Sequence, residues 1–164
     1  MRKISGLLLT IGVTLAAPAG SQTPARPIAF FEGTTVSEGM LKVAFADATR
    51  TRSVNRGTIG PDGTLALVQR VEDEGKPPSE RRWRIRQTGP GTYSGTMSDA
   101  SGPVTVDQVG SRYRFRFRMK GSLSVEQWLA PHADGRTADS SITIRKFGLT
   151  VATSTGTIRK VAGA

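Results

Sequence analysis

Turn-forming residues recur about every ten positions in this chain. Glycine, proline, aspartate and serine cluster at these positions from residue 28 onward. Polar and apolar residues alternate between the clusters, and no segment keeps a helical period over three turns. Short alternating segments separated by regular turns are typical of an all-β sandwich or barrel. We therefore predict a single all-β domain over residues 28–164.

The alternation predicts about ten antiparallel strands joined in sequence order. An antiparallel meander with one apolar face must hide that face, and closing the sheet on itself also removes its edges. We predict a closed barrel, with a two-sheet sandwich as the alternative. The predicted strands are Val36–Ala46, Arg50–Ile59, Thr64–Asp73, Glu80–Gln87, Thr92–Ser98, Val104–Val109, Arg112–Lys120, Ser124–Ala130, Thr137–Lys146 and Leu149–Val161.

Glycine-serine pairs at 110–111 and 121–122 predict the register of three consecutive strands. Both pairs suit two-residue type II′ hairpin loops, in which glycine comes first. The first loop places Val106 opposite Phe115, and the second places Phe115 opposite Trp128. Both loops therefore put apolar side chains on one face, which we assign to the barrel interior.

The same registers define a candidate ligand site inside the barrel. Because Glu126 alternates with Trp128, it should face inward too, as should Lys146 if Ile142 and Ile144 do. Ligand pockets are mostly apolar with a few polar groups, so Glu126 is a candidate polar anchor; a satisfied ion pair or a rim position is the alternative. The candidate ligand-binding residues are Trp83, Tyr113, Phe115, Phe117, Glu126 and Trp128.

Four arginines alternate with these aromatic residues on one strand: Arg112, Arg114, Arg116 and Arg118. We expect them on the outer face, because burying them would cost several kcal/mol each. The same register places Val125 and Leu129 on that face, and we predict weak contact with an anionic lipid surface. An ordinary solvated stripe is the alternative. A membrane-spanning barrel is disfavoured, since aromatic residues make up 6% of the chain, too few for two interface girdles.

The N-terminal residues have the pattern of a secretory signal peptide. Arg2 and Lys3 precede an apolar stretch over 4–17, and 17–19 (Ala-Pro-Ala) fits a cleavage site. We predict a signal peptide over 1–20, a disordered lead-in over 21–27 and a periplasmic mature protein. A membrane anchor is the alternative, but a spanning helix needs about 20 apolar residues.

The amino-acid composition limits the kinds of covalent link, metal site and partner that we expect. The chain has no cysteine and one histidine, so we expect no disulfide, lipid attachment through cysteine or zinc site. No nucleophile, dinucleotide or nucleic-acid-binding motif occurs; we therefore expect no catalytic residues, cofactor, metal or nucleic acid partner. The formal charge of +10 becomes +8 without Arg2 and Lys3, which favours anionic partners or simple solubility.

Several segments together resemble one bacterial family. They are Phe31-Glu32-Gly33, Arg81-Arg82-Trp83-Arg84-Ile85, Tyr93-Ser94-Gly95-Thr96-Met97-Ser98-Asp99, Glu126-Gln127-Trp128-Leu129 and Lys146-Phe147-Gly148-Leu149. In order and spacing they resemble the domain of unknown function 3833 family, short exported envelope proteins that are usually lipoproteins, over about Phe30 to Lys160. The resemblance implies a cell-envelope location and a lipocalin-like barrel, and it brings no activity.

Two functions fit these expectations. The barrel either binds a small lipophilic or amphiphilic ligand without catalysis, or it is a structural envelope protein with a solid core. We favour binding over enzymatic activity, although a fold alone does not exclude an enzyme. The sequence leaves the oligomeric state open.

Overall fold

The computed structural model describes residues 27–161, and these form a short helix and ten strands. The helix α1 spans Pro27–Phe30. The strands are β1 Gly33–Val43, β2 Ala48–Ile59, β3 Leu65–Asp73, β4 Ser79–Gly89, β5 Thr92–Met97, β6 Val104–Val109, β7 Arg112–Met119, β8 Leu123–Pro131, β9 Thr137–Lys146 and β10 Leu149–Lys160. No helix within these residues is long and apolar enough to cross a membrane. The predicted signal peptide and almost all of the lead-in lie outside the described residues.

The ten strands form one closed antiparallel barrel in which each strand pairs with its sequence neighbours and β1 pairs with β10. The predicted barrel is confirmed over the sandwich. Closure follows from the alternation, because it gives every strand one apolar side and leaves no edge unpaired.

A meander of ten strands gives the barrel two different ends. The connections β1–β2, β3–β4, β5–β6, β7–β8 and β9–β10 lie at one end, which we call the mouth. The other four connections and α1 lie at the opposite end. Here α1 buries Ile28 and Phe30 and closes the barrel. Gly57 makes room for this closure, since a Cβ at that position would collide with the Phe31 carbonyl oxygen.

The most completely buried apolar side chains belong to one packed cluster. Val104 and Leu129 are fully buried, and Leu65 and Val106 are 1% exposed. Tyr113 is buried with them, and desolvation raises the pKa of its hydroxyl. The part of this cluster around Leu65, Tyr113 and Leu129 lies next to the closed end and forms the floor of the barrel interior.

The loop at 110–111 has the predicted register. Val106 lies opposite Phe115 and Gln108 opposite Tyr113. Gly110 has a φ of +61°, the left-handed value that the first position of a type II′ turn needs. Across the 89–91 loop, Trp83 pairs with Met97.

The loop at 121–122 differs from the prediction by one residue. Met119 pairs with Leu123, so the loop has three residues, and both Gly121 and Ser122 adopt positive φ. Phe115 therefore lies opposite Gln127, and Phe117 lies opposite Val125. Because side chains alternate with a period of two, this single-residue shift turns every side chain of β8 to the other face.

Alanine substitutions on β8 test this register. Leu129→Ala should lower the free energy of unfolding by about 2–5 kcal/mol, because it leaves a cavity in the fully buried floor. Glu126→Ala, on the outer face of the same strand, should change it by less than about 1 kcal/mol. Urea unfolding of both variants measures the difference. Equal effects, or a larger loss for Glu126→Ala, would contradict the observed register.

Candidate functional site

The barrel encloses a cavity of about 250 Å³ above the closed floor. Its wall is mainly apolar, with Phe115 and Ile142 at mid-height and Met119, Leu123 and Ile144 towards the mouth. These last three side chains are half-buried, whereas the floor is sealed. The cavity is slightly below the range of about 300–1,000 Å³ that small-molecule sites occupy.

The cavity exists because the two sides of the barrel carry side chains of different size. Strands β3, β4 and β7 contribute Leu67, Trp83 and Phe117 to the wall, and Phe117 packs edge-on against Trp83 with ring centroids 5.5 Å apart. Strands β1, β2 and β10 contribute mainly small side chains, and β9 adds Ser140 next to Ile142 and Ile144. These small lining residues are Ser37, Gly39, Thr51, Ser53, Ser140, Ser154 and Gly156.

Gly39 and Gly156 bring the small-residue side of the barrel together. They are paired across β1 and β10, and a Cβ built on Gly39 would lie 2.9 Å from the Gly156 Cα. Larger residues at these two positions would therefore collide with backbone. The close strand contact and the empty volume beside it both depend on glycine here.

A row of inward-facing polar residues runs from the small-residue side to the large-residue side. Thr35 pairs with Asn55, Asn55 with Gln69, and Gln69 with Arg81 on the four consecutive strands β1 to β4. We call these four residues the polar row. Asn55 Nδ2 donates to Thr35 Oγ1 at 3.1 Å, and Trp83 Nε1 donates to Gln69 Oε1 at 3.1 Å. The row therefore connects the lower part of the cavity to its mouth.

Asn55 leaves one polar atom without a partner. The residue is 2% exposed and lines the cavity, and its Oδ1 accepts no hydrogen bond from any described residue. An unpaired buried carbonyl of this kind costs about 1–3 kcal/mol. A hydrogen-bond donor inside the cavity would remove that cost.

Arg81 ends the polar row at the mouth. Its side chain is 30% exposed, and its Nε lies 3.2 Å from Asp99 Oδ2, in the connection between β5 and β6. Asp99 holds the guanidinium over the cavity, and the exposed fraction leaves donors available. A guanidinium offers five N–H donors, so one carboxylate does not exhaust it.

The predicted wall residues fall into two groups. Trp83, Phe115 and Phe117 line the cavity. Tyr113 points inward as expected but lies deeper, in the packed floor. Their contact with a ligand stays a prediction.

The predicted inward positions of Glu126 and Trp128 are wrong. The extra residue in the 120–122 loop turns both side chains to the outer face, where Trp128 Nε1 donates to Glu126 Oε1 at 3.3 Å. Ile142 and Ile144 do line the cavity, but on the face of Gln127 and Val125. Lys146 is exposed at the mouth rather than inside. Glu126 is therefore not a polar anchor of the cavity.

The arginine stripe on β7 faces outward, but its surroundings differ from the expectation. Arg112 and Arg114 stack over Trp128, with their Cζ atoms 4.7 and 5.6 Å from the ring centroid. Arg114 and Arg116 share Asp107, at 3.4 and 2.7 Å. Arg112, Arg116 and Arg118 are exposed, and Arg114 is half-buried.

The aliphatic part of that predicted outer surface is wrong. Val125 and Leu129 are buried inside the barrel at 5% and 0% exposure. The same one-residue shift that moves Trp128 outward moves these two side chains inward. The stripe is consequently flanked by a stacked tryptophan rather than by exposed aliphatic residues.

The single histidine lies far from the cavity. His132 belongs to the β8–β9 connection at the closed end, where its Nε2 lies 3.0 Å from Asp139 Oδ2. The Asp139 carboxylate raises the pKa of His132. Among residues 27–161, no group of three histidine, aspartate or glutamate side chains is placed to hold a metal ion.

Sequence reasoning missed the polar side of the cavity. Asn55, Gln69 and Gln127 were read only as parts of alternating strands, although each lines the interior. Gln127 Nε2 donates to Ser140 Oγ at 2.9 Å, so this pair satisfies itself. One signal was available for two of them: Gln69 and Gln127 occupy inward positions between apolar residues of β3 and β8, the pattern expected of a lined cavity.

Comparison with known proteins agrees with this architecture. A family model described as "Protein of unknown function (DUF3833)" matches residues 9–160, nearly the whole chain. The chain belongs to the DUF3833 family. This confirms the resemblance drawn from the sequence. A search of curated protein sequences gave no match.

The DUF3833 barrel is similar to a solved structure of the S-type phycobiliprotein lyase CPES from Guillardia theta. The TM-score is 0.67 at 9% sequence identity, and the match covers 90% of this chain and 100% of the lyase chain. At this identity the likeness establishes the fold alone. The lipocalin-like architecture is thereby confirmed.

Proposed function

We propose that this DUF3833 protein binds one small amphiphilic molecule inside its barrel. The observation that carries the proposal is an apolar cavity of about 250 Å³ crossed by a polar row with an unpartnered Asn55 Oδ1. A solid structural barrel has no need for paired glycines and serines along one wall. It would also gain stability by replacing the unpaired amide with an apolar residue.

The lining defines the chemistry of the ligand. Its apolar body lies against Phe115, Phe117 and Ile142 on the wall. A hydroxyl or N–H group donates to Asn55 Oδ1. An anionic or other acceptor group lies at the mouth beside Arg81, because guanidinium favours carboxylate and phosphate oxygens.

Filling the cavity tests this proposal. Ser154→Leu adds apolar volume on the small-residue side and should lower affinity for anilinonaphthalene sulfonate, an anionic amphiphile, by about tenfold or more. Its thermal stability should be unchanged or higher. Trp128→Phe provides the background, because Trp83 in the wall is then the only tryptophan and reports binding by its fluorescence. Dodecanoate should displace the probe.

Three further variants control this experiment. Thr155→Leu adds the same side chain to the outer face of the same strand and should leave probe affinity unchanged. Ser37→Leu fills the cavity from β1 and replaces Ser154→Leu if that variant is unstable. Arg81→Gln should lower the affinity for the anionic probe but leave the affinity for neutral phenylnaphthylamine unchanged. Undiminished binding in both filled variants would overturn the proposal.

We also propose that the protein acts after export, in the cell envelope. The proposal of export rests on the basic and apolar segments of residues 1–20, and the absence of cysteine adds that no lipid is attached through a cysteine. N-terminal sequencing of the protein from its host should give a mature chain beginning within 20–22, with no lipid attached. A protein that keeps Met1 would contradict export with cleavage.

A further inference from the structure

Two adjacent hairpins at the mouth carry large, solvent-exposed apolar side chains, and the only ring contact among them in residues 27–161 is that of Lys146 Nζ, 5.8 Å from the Phe147 ring centroid. Phe45, at the tip between β1 and β2, is fully exposed. Phe147 and Leu149, at the tip between β9 and β10, are 82% and 74% exposed. The backbone bond from Ala44 N to Val151 O, 2.8 Å long, ties the two hairpins together. Clustered exposed apolar side chains of this kind mark interaction surfaces.

The backbone makes these aromatic residues more unusual. Phe45 has a φ of +63° and Phe147 a φ of +50°. Bulky residues rarely adopt this left-handed conformation, which glycine and asparagine enter easily. Folding alone would therefore favour a different residue at both positions. The chain keeps phenylalanine at two strained, exposed tips, so the side chains have a role outside the fold.

Positive charge predominates around these tips, although Glu74 of the neighbouring β3–β4 connection accepts a hydrogen bond from the Arg50 backbone N–H at 3.0 Å. The neighbouring hairpin segments 42–50, 118–123 and 145–149 carry six basic residues and one acid, Asp47. The basic residues are Lys42, Arg50, Arg118, Lys120, Arg145 and Lys146. All three segments belong to consecutive strands around one half of the mouth, from β2 through β10 to β7. Apolar tips in a basic collar complement an anionic lipid surface.

We propose that the mouth of the barrel docks on an anionic lipid bilayer, with Phe45 and Phe147 inserted among the headgroups. Basic residues such as Lys120 and Lys146 contact the lipid phosphates. The cavity then opens towards the membrane, so that an amphiphilic ligand passes between lipid and barrel without crossing bulk water. The docking proposal depends only on the residues at the mouth, whereas the proposed route of the ligand depends also on the proposed function.

Vesicle sedimentation tests the docking. Wild-type protein should bind vesicles of equal parts phosphatidylglycerol and phosphatidylcholine, and its affinity for them should fall as the salt concentration rises. It should not bind vesicles of phosphatidylcholine alone. Phe45→Asn/Phe147→Asn should reduce binding by about tenfold or more, because the inserted apolar surface is lost. The same variant should unfold at an equal or higher temperature, since asparagine tolerates positive φ. A loss of binding without a loss of stability excludes simple misfolding.

Two charge variants distinguish the mouth from the arginine stripe. Lys120→Gln/Lys146→Gln removes two charges at the mouth and should weaken binding by about tenfold. Arg112→Gln/Arg116→Gln removes two charges from the barrel wall and should change binding by less than about twofold. Full binding by the double asparagine variant, equal losses in both charge variants, or no vesicle binding at all would overturn the proposal.

The result is independent of the cavity test. Binding of anilinonaphthalene sulfonate is measured in solution without lipid. The variants at the mouth should therefore retain their affinity for this probe, whereas Ser154→Leu should lose it. Conversely, Ser154→Leu should keep its vesicle binding. Failure of docking with intact probe binding would leave the proposed function standing, and the reverse result would leave only a membrane-docking barrel.

Discussion

The interior of this barrel depends on an imbalance in side-chain volume around a closed ring of strands. Closure fixes the space inside, and inward-facing side chains must fill it or leave it empty. Strands β4 and β7 fill their share with Trp83, Phe115 and Phe117, whereas β1 and β10 contribute serine and glycine. The cavity follows from that difference. The packed floor around Leu129 and Leu65 stabilises the fold independently of it.

The polar row places different polar groups inside the cavity and at its mouth. Its members lie side by side because the register steps from β1 to β4 place Thr35, Asn55, Gln69 and Arg81 in successive pairs. Most of their groups satisfy each other or neighbouring residues. The Asn55 Oδ1, which has no partner among the described residues, gives the site one acceptor inside, and the partly exposed Arg81, at the other end from Thr35, gives it one cation at the opening. An amphiphile matches this polarity better than a purely apolar molecule does.

Much of the fold was predictable, because period-two alternation and turn residues act locally. All ten strands and the turn at Gly110 follow from such patterns. The error at 121–122 arose because glycine-serine suits loops of two or three residues, and the choice decides which face Trp128 occupies. The sequence contained a sign of this error. With a two-residue loop at 121–122, Ile142 and Ile144 share the face of Trp128 only if the connection near 134–135 has an odd length or a bulge. The polar row was not predictable, since it requires correct registers across four strands.

The most direct test of the account is the mass of the protein as its host makes it. Native mass spectrometry of the purified wild-type protein should detect one non-covalently bound small molecule per chain. Organic extraction should release an amphiphile. Ser154→Leu purified in the same way should carry none, while Thr155→Leu should carry the same molecule. An unliganded mass for both wild-type and Ser154→Leu protein would contradict a ligand-binding cavity and favour a structural barrel.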